Sequence, residues 1–408
     1  MDICEFSLPN GIRVVHQTVN NPIAHCGISI NTGTRDENEH QYGMAHFVEH
    51  LLFKGTKKRK PHHILSRIDE VGGYINAFTS KEDTSVHASF LCEYYKRAIE
   101  LLFDIVFNST FPEIEIEKEK KIVIDEINSY KDSPSELIFD EIEELVFKGS
   151  LMGNNILGDE KSIKSFGRDQ VISFLDEKYN TDEIVFSFVG NISLTKIERE
   201  IKKHALSIKT NTRKSQREKV GEYKAIYLEK EMNTHQCHAV IANRSLDLNH
   251  KDIYTVSLIN NILGGPAMNS RLNLIVRERY GLAYNIESFC SSYSDTGILG
   301  IYVGSDKKNI YKSLNIIKKE LKKLSTKKIS YTQLKKYKIQ FIGQLTIGQE
   351  NNASRMLANA KSILSCPRIE TFSEIRKRIE SIEESDIIEV ANLLFREKDL
   401  TTLIYKSQ

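Results

Sequence analysis

The sequence has almost no net charge: 57 Lys and Arg face 55 Asp and Glu, a formal +2 at neutral pH. That balance gives no electrostatic reason to expect nucleic acid or an anionic membrane as partner. No apolar run approaches the ~20 residues that span a bilayer, so no membrane is expected either. The cysteines Cys4, Cys26, Cys92, Cys237, Cys290 and Cys366 include no C-x-x-C pair. Scattered in this way, they read as reduced thiols and not as a disulfide framework. The opening Met1-Asp2-Ile3-Cys4-Glu5-Phe6 has acidic residues and no apolar signal core. These absences lead to the expectation of a cytoplasmic protein.

What is present suits a soluble globular chain: 40% hydrophobic and 27% charged residues. At 408 residues it is too long for one ordinary core and suits two or more domains. Alternation and helical spacing predict strands at 12–17 and 23–31, then helices at 42–54 and 62–71. Strands at 74–79 and 85–91 follow, then helices at 94–108, 113–131 and 134–148. The last two are divided by Asp132-Ser133-Pro134, a stop and a new start. A helix at 168–178, a strand at 184–190 and a helix at 194–206 close the first half. The polar, basic stretch 209–221 reads as an exposed linker.

The second half repeats the order. Strands at 223–229 and 236–243 precede helices at 250–263 and near 268–279, then strands at 283–290 and 297–303. Helices at 307–324, 330–348, 370–380 and 384–395 lead to a last strand at 399–405. Laying 250–263 over 42–54 puts Ser257, Asn260 and Asn261 where His46, Glu49 and His50 stand. The expected fold is therefore α+β: two homologous α/β domains, each a mainly antiparallel sheet with helices on one face. Residues 1–208 would form the first domain, bearing the only metal, and 222–408 the second, binding substrate without one.

The chemistry concentrates in Gly43-Met44-Ala45-His46-Phe47-Val48-Glu49-His50-Leu51-Leu52-Phe53. On a helix His46 and His50 project from one face, one turn apart, and Glu49 reaches the same face. Two imidazoles so placed fit two corners of a tetrahedral zinc site, and the carboxylate can take a proton from the attacking water. The pattern is H-x-x-E-H, the inverzincin signature. A short motif of this kind also occurs on purely structural helices, so a third ligand decides. Glu119 and Glu126, seven apart, share a face of the 113–131 helix. Spacing does not choose between them, nor between Glu126 and Asp125.

The residues resemble the pitrilysin-type inverzincin metallopeptidases, in the branch of bacterial relatives of mitochondrial processing peptidase. The resemblance covers nearly the whole chain. It runs through Leu8-Pro9-Asn10-Gly11, His46-Phe47-Val48-Glu49-His50, Asn76-Ala77-Phe78-Thr79, Ile124-Asp125-Glu126-Ile127 and Arg277-Glu278-Arg279-Tyr280-Gly281-Leu282-Ala283-Tyr284. It implies one Zn2+ per chain held by His46, His50 and Glu126, with Glu49 as general base and Glu119 as a supporting glutamate. It further implies that the strand at Asn76, Ala77 and Phe78 accepts peptide, and that Arg277 and Tyr284 reach the scissile carbonyl. Asp125 departs from the second glutamate many members carry, at a position that is not a ligand.

The function so implied is a zinc metalloendopeptidase acting on extended or unfolded peptides inside a closed chamber. The chain would be half of a clamshell, and a homodimer is expected. The competing reading is a non-catalytic structural or substrate-presenting relative of the same fold. Such relatives lack motif residues or carry a long glycine-rich loop. Here His46, Glu49, His50 and Glu126 are all present, and Leu263-Gly264-Gly265-Pro266 is too short to be that loop.

Overall fold

The computed structural model describes residues 3–407. The first half runs β1 (Ile3–Ser7), β2 (Arg13–Thr18), β3 (Ile23–Ile30), α1 (Met44–Leu51), α2 (Pro61–Asp69), β4 (Tyr74–Thr79) and β5 (Thr84–Leu91). Next come α3 (Tyr95–Phe107), α4 (Glu113–Lys131), α5 (Pro134–Val146), α6 (Glu160–Ser165), α7 (Arg168–Lys178), β6 (Ile184–Gly190) and α8 (Leu194–Ala205). The second half opens with β7 (Tyr227–Met232), β8 (Cys237–Ser245) and α9 (Ile253–Gly264), then a π-helical stretch at Asn273–Arg279, β9 (Asn285–Ser292) and β10 (Gly297–Ser305). It ends with α10 (Ile310–Thr326), α11 (Tyr331–Gly348), α12 (Asn352–Ser365), α13 (Phe372–Ser381), α14 (Glu384–Leu394) and β11 (Thr401–Ser407).

The two sheets are ordered β1-β2-β6-β3-β5-β4 and β7-β11-β8-β10-β9. Without β1 the orders match strand for strand. In each, one parallel pair (β2–β6, β7–β11) is followed by antiparallel pairs only. The duplication expected from the order of elements is thus present in the topology, and the mainly antiparallel α/β architecture is as expected.

Strand β6, Ile-Val-Phe-Ser-Phe-Val-Gly, is buried at every position. Alternate side chains face opposite ways, so both faces must be covered. Phe186 and Phe188 join the main core with α1, α3, α7 and α8. Val185 and Val189 instead meet Ala360, Ile363 and Met356 of α12. In the second sheet, Leu299, Ile301 and Val303 of β10 face the core shared with α9, α10 and α14. Ile298 and Tyr302 pack with Ile138, Ile142 and Val146 of α5. The main helical layer lies on one face of each sheet, and a single helix caps the other.

Those two capping helices come from the opposite half of the sequence. One compact unit comprises residues up to Asn128, Asn154–Glu218 and Gly348–Ile369; the other comprises Ser129–Gly153, Lys219–Ile347 and Glu370 onward. A single cut at 209–221 therefore does not separate them. The physical reason is the apolar stripe on each helix. Met356, Ala360 and Ile363, and likewise Ile138, Ile142 and Val146, recur at helical spacing and find sheets whose second face would otherwise be bare.

The 209–221 stretch has no regular structure, yet it is no solvated tether at its arginines. Arg213 Nη2 lies 2.5 Å from Asp36 Oδ1, and Arg217 Nη2 lies 2.8 Å from Asp36 Oδ2. Arg35 pairs with Glu82 at 2.6 Å and donates to Glu218 O at 2.8 Å. The strap is bonded to the loop that leads into α1. Among the described residues, no helix is long and apolar enough to cross a membrane.

Candidate metal centre

Helix α1 starts at Gly43, whose φ of 88° is left-handed. A Cβ there would fall 2.7 Å from Gly158 Cα and 2.8 Å from Leu157 O, so only glycine fits. Glu37 completes the start, accepting hydrogen bonds from Gly43 N (3.0 Å) and Ala45 N (2.8 Å). Burial pushes the Glu37 carboxyl up to about 8, against the pull of those two N–H groups. Met44, Phe47, Val48 and Leu51 are fully buried in the core. That leaves His46, Glu49 and His50 on the remaining face.

Helix α4 supplies the carboxylates. Its buried stripe is Ile116, Glu119, Val123 and Ile127, with Glu126 half-buried beside it and Asp125 exposed. Ligand atoms of His46, His50 and Glu126 all lie within 4.8 Å of one another. Glu126 Oε2 is 3.5 Å from His50 Nε2 and 3.9 Å from His46 Nε2. These separations are too long for hydrogen bonds. They are close to the edge of a tetrahedral zinc site, about 3.3–3.5 Å for bonds of ~2.0–2.2 Å. Three donors thus converge without satisfying one another, and His46 Nδ1 is buried with no hydrogen-bond partner. The donor set fits zinc.

Glu119 takes a different position. Its Oε1 accepts from His50 Nδ1 at 2.9 Å, which leaves His50 Nε2 free as a lone-pair donor. The geometry therefore separates two glutamates that spacing left equivalent: one faces the ε nitrogens, the other the δ nitrogen of His50. Lys54 Nζ lies 2.7 Å from Glu119 Oε2.

The charges follow from these contacts. Burial, with the neighbouring His50, lowers His46 to about 3, so its imidazole is neutral. Burial also pulls His50 down, but the hydrogen bond and charge of Glu119, with Glu126 and Glu49, outweigh it and raise the group overall. Burial raises Glu49, partly offset by a hydrogen bond from Thr79 Oγ1 to Glu49 Oε2 at 2.7 Å. Desolvation would raise Glu119 as well, but His50 and Lys54 hold it below the ordinary carboxylate value.

Strand β4 is the edge of its sheet, paired only to β5 in the strand order. Ala77 and Thr79 turn inward, while Tyr74, Asn76 and Phe78 are exposed. Asn76 Oδ1 accepts from Ala77 N at 2.9 Å. An open edge of this kind offers unpaired backbone groups to an extended chain. Arg277 and Tyr284 lie in the other unit. Arg277 is on the π-helical stretch and half-exposed; Tyr284 is 60% exposed and donates to Asp306 Oδ1 at 3.1 Å. Sequence reasoning gave no role to Thr79 or Lys54. Their only signal was nearness in the chain to Asn76 and to His50.

A histidine pair with a converging glutamate, backed by a further carboxylate, has the make-up of a site that could hold a metal ion. Residues 13–160 match Insulinase (Peptidase family M16), and residues 165–341 match Peptidase M16 inactive domain. The chain belongs to this peptidase family. The uncharacterized zinc protease YmxG of Bacillus subtilis is 34% identical over 408 residues, covering 99% of this chain and 98% of that protein. The mitochondrial-processing peptidase subunit beta of Bos taurus is 30% identical, covering 78% of this chain and 67% of its own. A protease from Helicobacter pylori, 20% identical, has the same fold with a TM-score of 0.93 over 99% of both chains.

Proposed function

We propose that the protein is a zinc-dependent endopeptidase that cleaves extended or unfolded peptides. The observation that carries this is the convergence of His46 Nε2, His50 Nε2 and Glu126 Oε2 at 3.5–3.9 Å, with Glu49 on the same helix face. One zinc per chain, held by His46, His50 and Glu126, would polarise the scissile carbonyl and acidify the attacking water. Glu49 takes that water's proton and delivers it to the leaving nitrogen. Thr79 holds one Glu49 oxygen, leaving Oε1 for the proton. Glu119 holds the His50 ring in the tautomer that presents Nε2.

The edge of β4 at Asn76, Ala77 and Phe78 takes the peptide as an added strand, reading backbone more than side chain. Arg277 and Tyr284 stabilise the charged carbonyl oxygen, a role supported by the family resemblance. The finer form of the proposal is a homodimer in the cytoplasm that works on peptides admitted to a closed chamber. Domain roles follow: the first half carries the metal, and the second, where α9 has Ser257, Asn260 and Asn261, binds substrate.

The test is hydrolysis of a mixed pool of quenched peptides by wild type and Glu49→Gln, with zinc measured in both. Chelator-sensitive cleavage that disappears in a variant still holding about one zinc per chain supports the proposal. Zinc retained without cleavage by either protein would leave the non-catalytic reading. Light scattering giving a monomer of 46.8 kDa in an active preparation would remove the dimer.

A further inference from the structure

We propose that Lys54 is a positioning residue of the metal centre, acting on His50 through Glu119; this rests on the reading of His50 as a zinc ligand. The Glu119 side chain is only 4% exposed, and its two oxygens are divided between two partners. Oε1 takes the His50 Nδ1 hydrogen at 2.9 Å; Oε2 faces Lys54 Nζ at 2.7 Å. A buried carboxylate with a partner on only one oxygen would be free to rotate or to draw in water. Lys54 fills the second oxygen and supplies the counter-charge, so Glu119 stays an acceptor aimed at Nδ1.

The Lys54 backbone is fixed for this task. It lies in the turn that ends α1, with its N–H bonded to Leu51 O at 3.1 Å. The next residue, Gly55, accepts from Thr110 N at 3.0 Å. Glu119 comes from α4, and Glu126 follows it by two turns on the same helix. The ion pair therefore ties the end of the histidine helix to the helix that carries the third donor. Its effect falls on two of the three ligands at once. A surface ion pair has neither property: it has water on both sides and no ligand behind it.

The experiment measures the zinc affinity of the full-length protein by chelator competition, for wild type, Lys54→Met, Lys54→Arg and Glu119→Gln. Cobalt-substituted protein provides a second readout, because its visible spectrum reports ligand geometry without requiring activity. Lys54→Met is expected to weaken zinc binding about 10–100-fold, as loss of a partner behind a ligand does, and to alter the cobalt spectrum. Lys54→Arg, keeping charge and donors, should return affinity to within about threefold and restore the spectrum. Thermal melts of the zinc-free variants separate a lost site from a lost fold, and Lys54→Gln replaces Lys54→Met if the latter does not fold. A neutral variant that folds and binds zinc as wild type does, while Glu119→Gln is weakened at least tenfold, overturns the role of Lys54. Wild type that binds no zinc overturns the site itself, and this inference with it.

Discussion

Thr79 Oγ1 donates a 2.7 Å hydrogen bond to Glu49 Oε2. One residue ends the open edge strand β4, and the other sits between the two histidines of α1. In the proposed mechanism, the bond joins the strand edge that would take the peptide to the carboxylate that would take the proton. A hydrogen bond to a charged group contributes about 1.5–3 kcal/mol. Thr79→Val is therefore expected to lower kcat by roughly 10–150-fold, with KM and zinc content near wild type. Steady-state kinetics beside metal analysis checks this, and Thr79→Ser should recover most of the loss.

The two histidines should oppose each other in the pH dependence of the zinc-free protein. His46 falls from its ordinary 6.5 to about 3 on folding. As pH drops below 6.5 the unfolded chain takes that proton first, so stability declines down to about pH 3. His50 is raised on folding. Its contribution is full below the unfolded value and is lost as pH rises through the folded one. Either group alone contributes a slope of at most about 1.4 kcal/mol per pH unit. Urea midpoints between pH 5 and 8 should show His50→Gln steepening the loss in acid and His46→Gln flattening it.

Asp36 anchors the strap through Arg213 and Arg217 with its side chain 2% exposed. Asp36→Asn leaves Arg217 poorly compensated in a buried place, although Glu82 remains 3.7 Å away. The expected cost is about 3 kcal/mol, the low end for breaking a buried pair. Glu160→Gln, at the exposed pair with Lys164, should cost about 0–0.5 kcal/mol. Denaturant unfolding of the two variants makes the comparison.

Local pattern carried the strands and helices well where a stripe or alternation met a clear stop. Examples are α4 and α5 on either side of Asp132-Ser133-Pro134, and β6 with its unbroken apolar run. Other elements shifted or were passed over. The strand expected at 223–229 forms at Tyr227–Met232, the helix expected near 268–279 is π-helical from Asn273, and β1 and α12 had no expectation. The stripe of α12 is visible in its sequence, but nothing local says which sheet it covers. That pairing joins residues more than 300 positions apart, such as Val15 and Ile363.

The site divides in the same way. His46, Glu49 and His50 could be read from spacing on one helix. Choosing among Glu119, Asp125 and Glu126 needed a resemblance, because position on α4 alone does not say which nitrogen each meets. Thr79 and Lys54 matter through distances of 2.7 Å to charged partners, which no sequence pattern encodes. Arg213 and Arg217 looked like solvated linker charges for the same reason.

The exchange of capping helices also sets a timetable. The histidine helix and its sheet are made early, but α12, which covers Val15, Val185 and Val189, ends only at Ser365. At ~5–20 residues per second, a ribosome needs about 7–30 s to pass from the end of the strap to the end of that helix. Until then the sheet lacks the helix that covers its Val15, Val185 and Val189 face in the finished fold. The first sheet is thereby withheld from completion until most of the 408-residue chain has been synthesised.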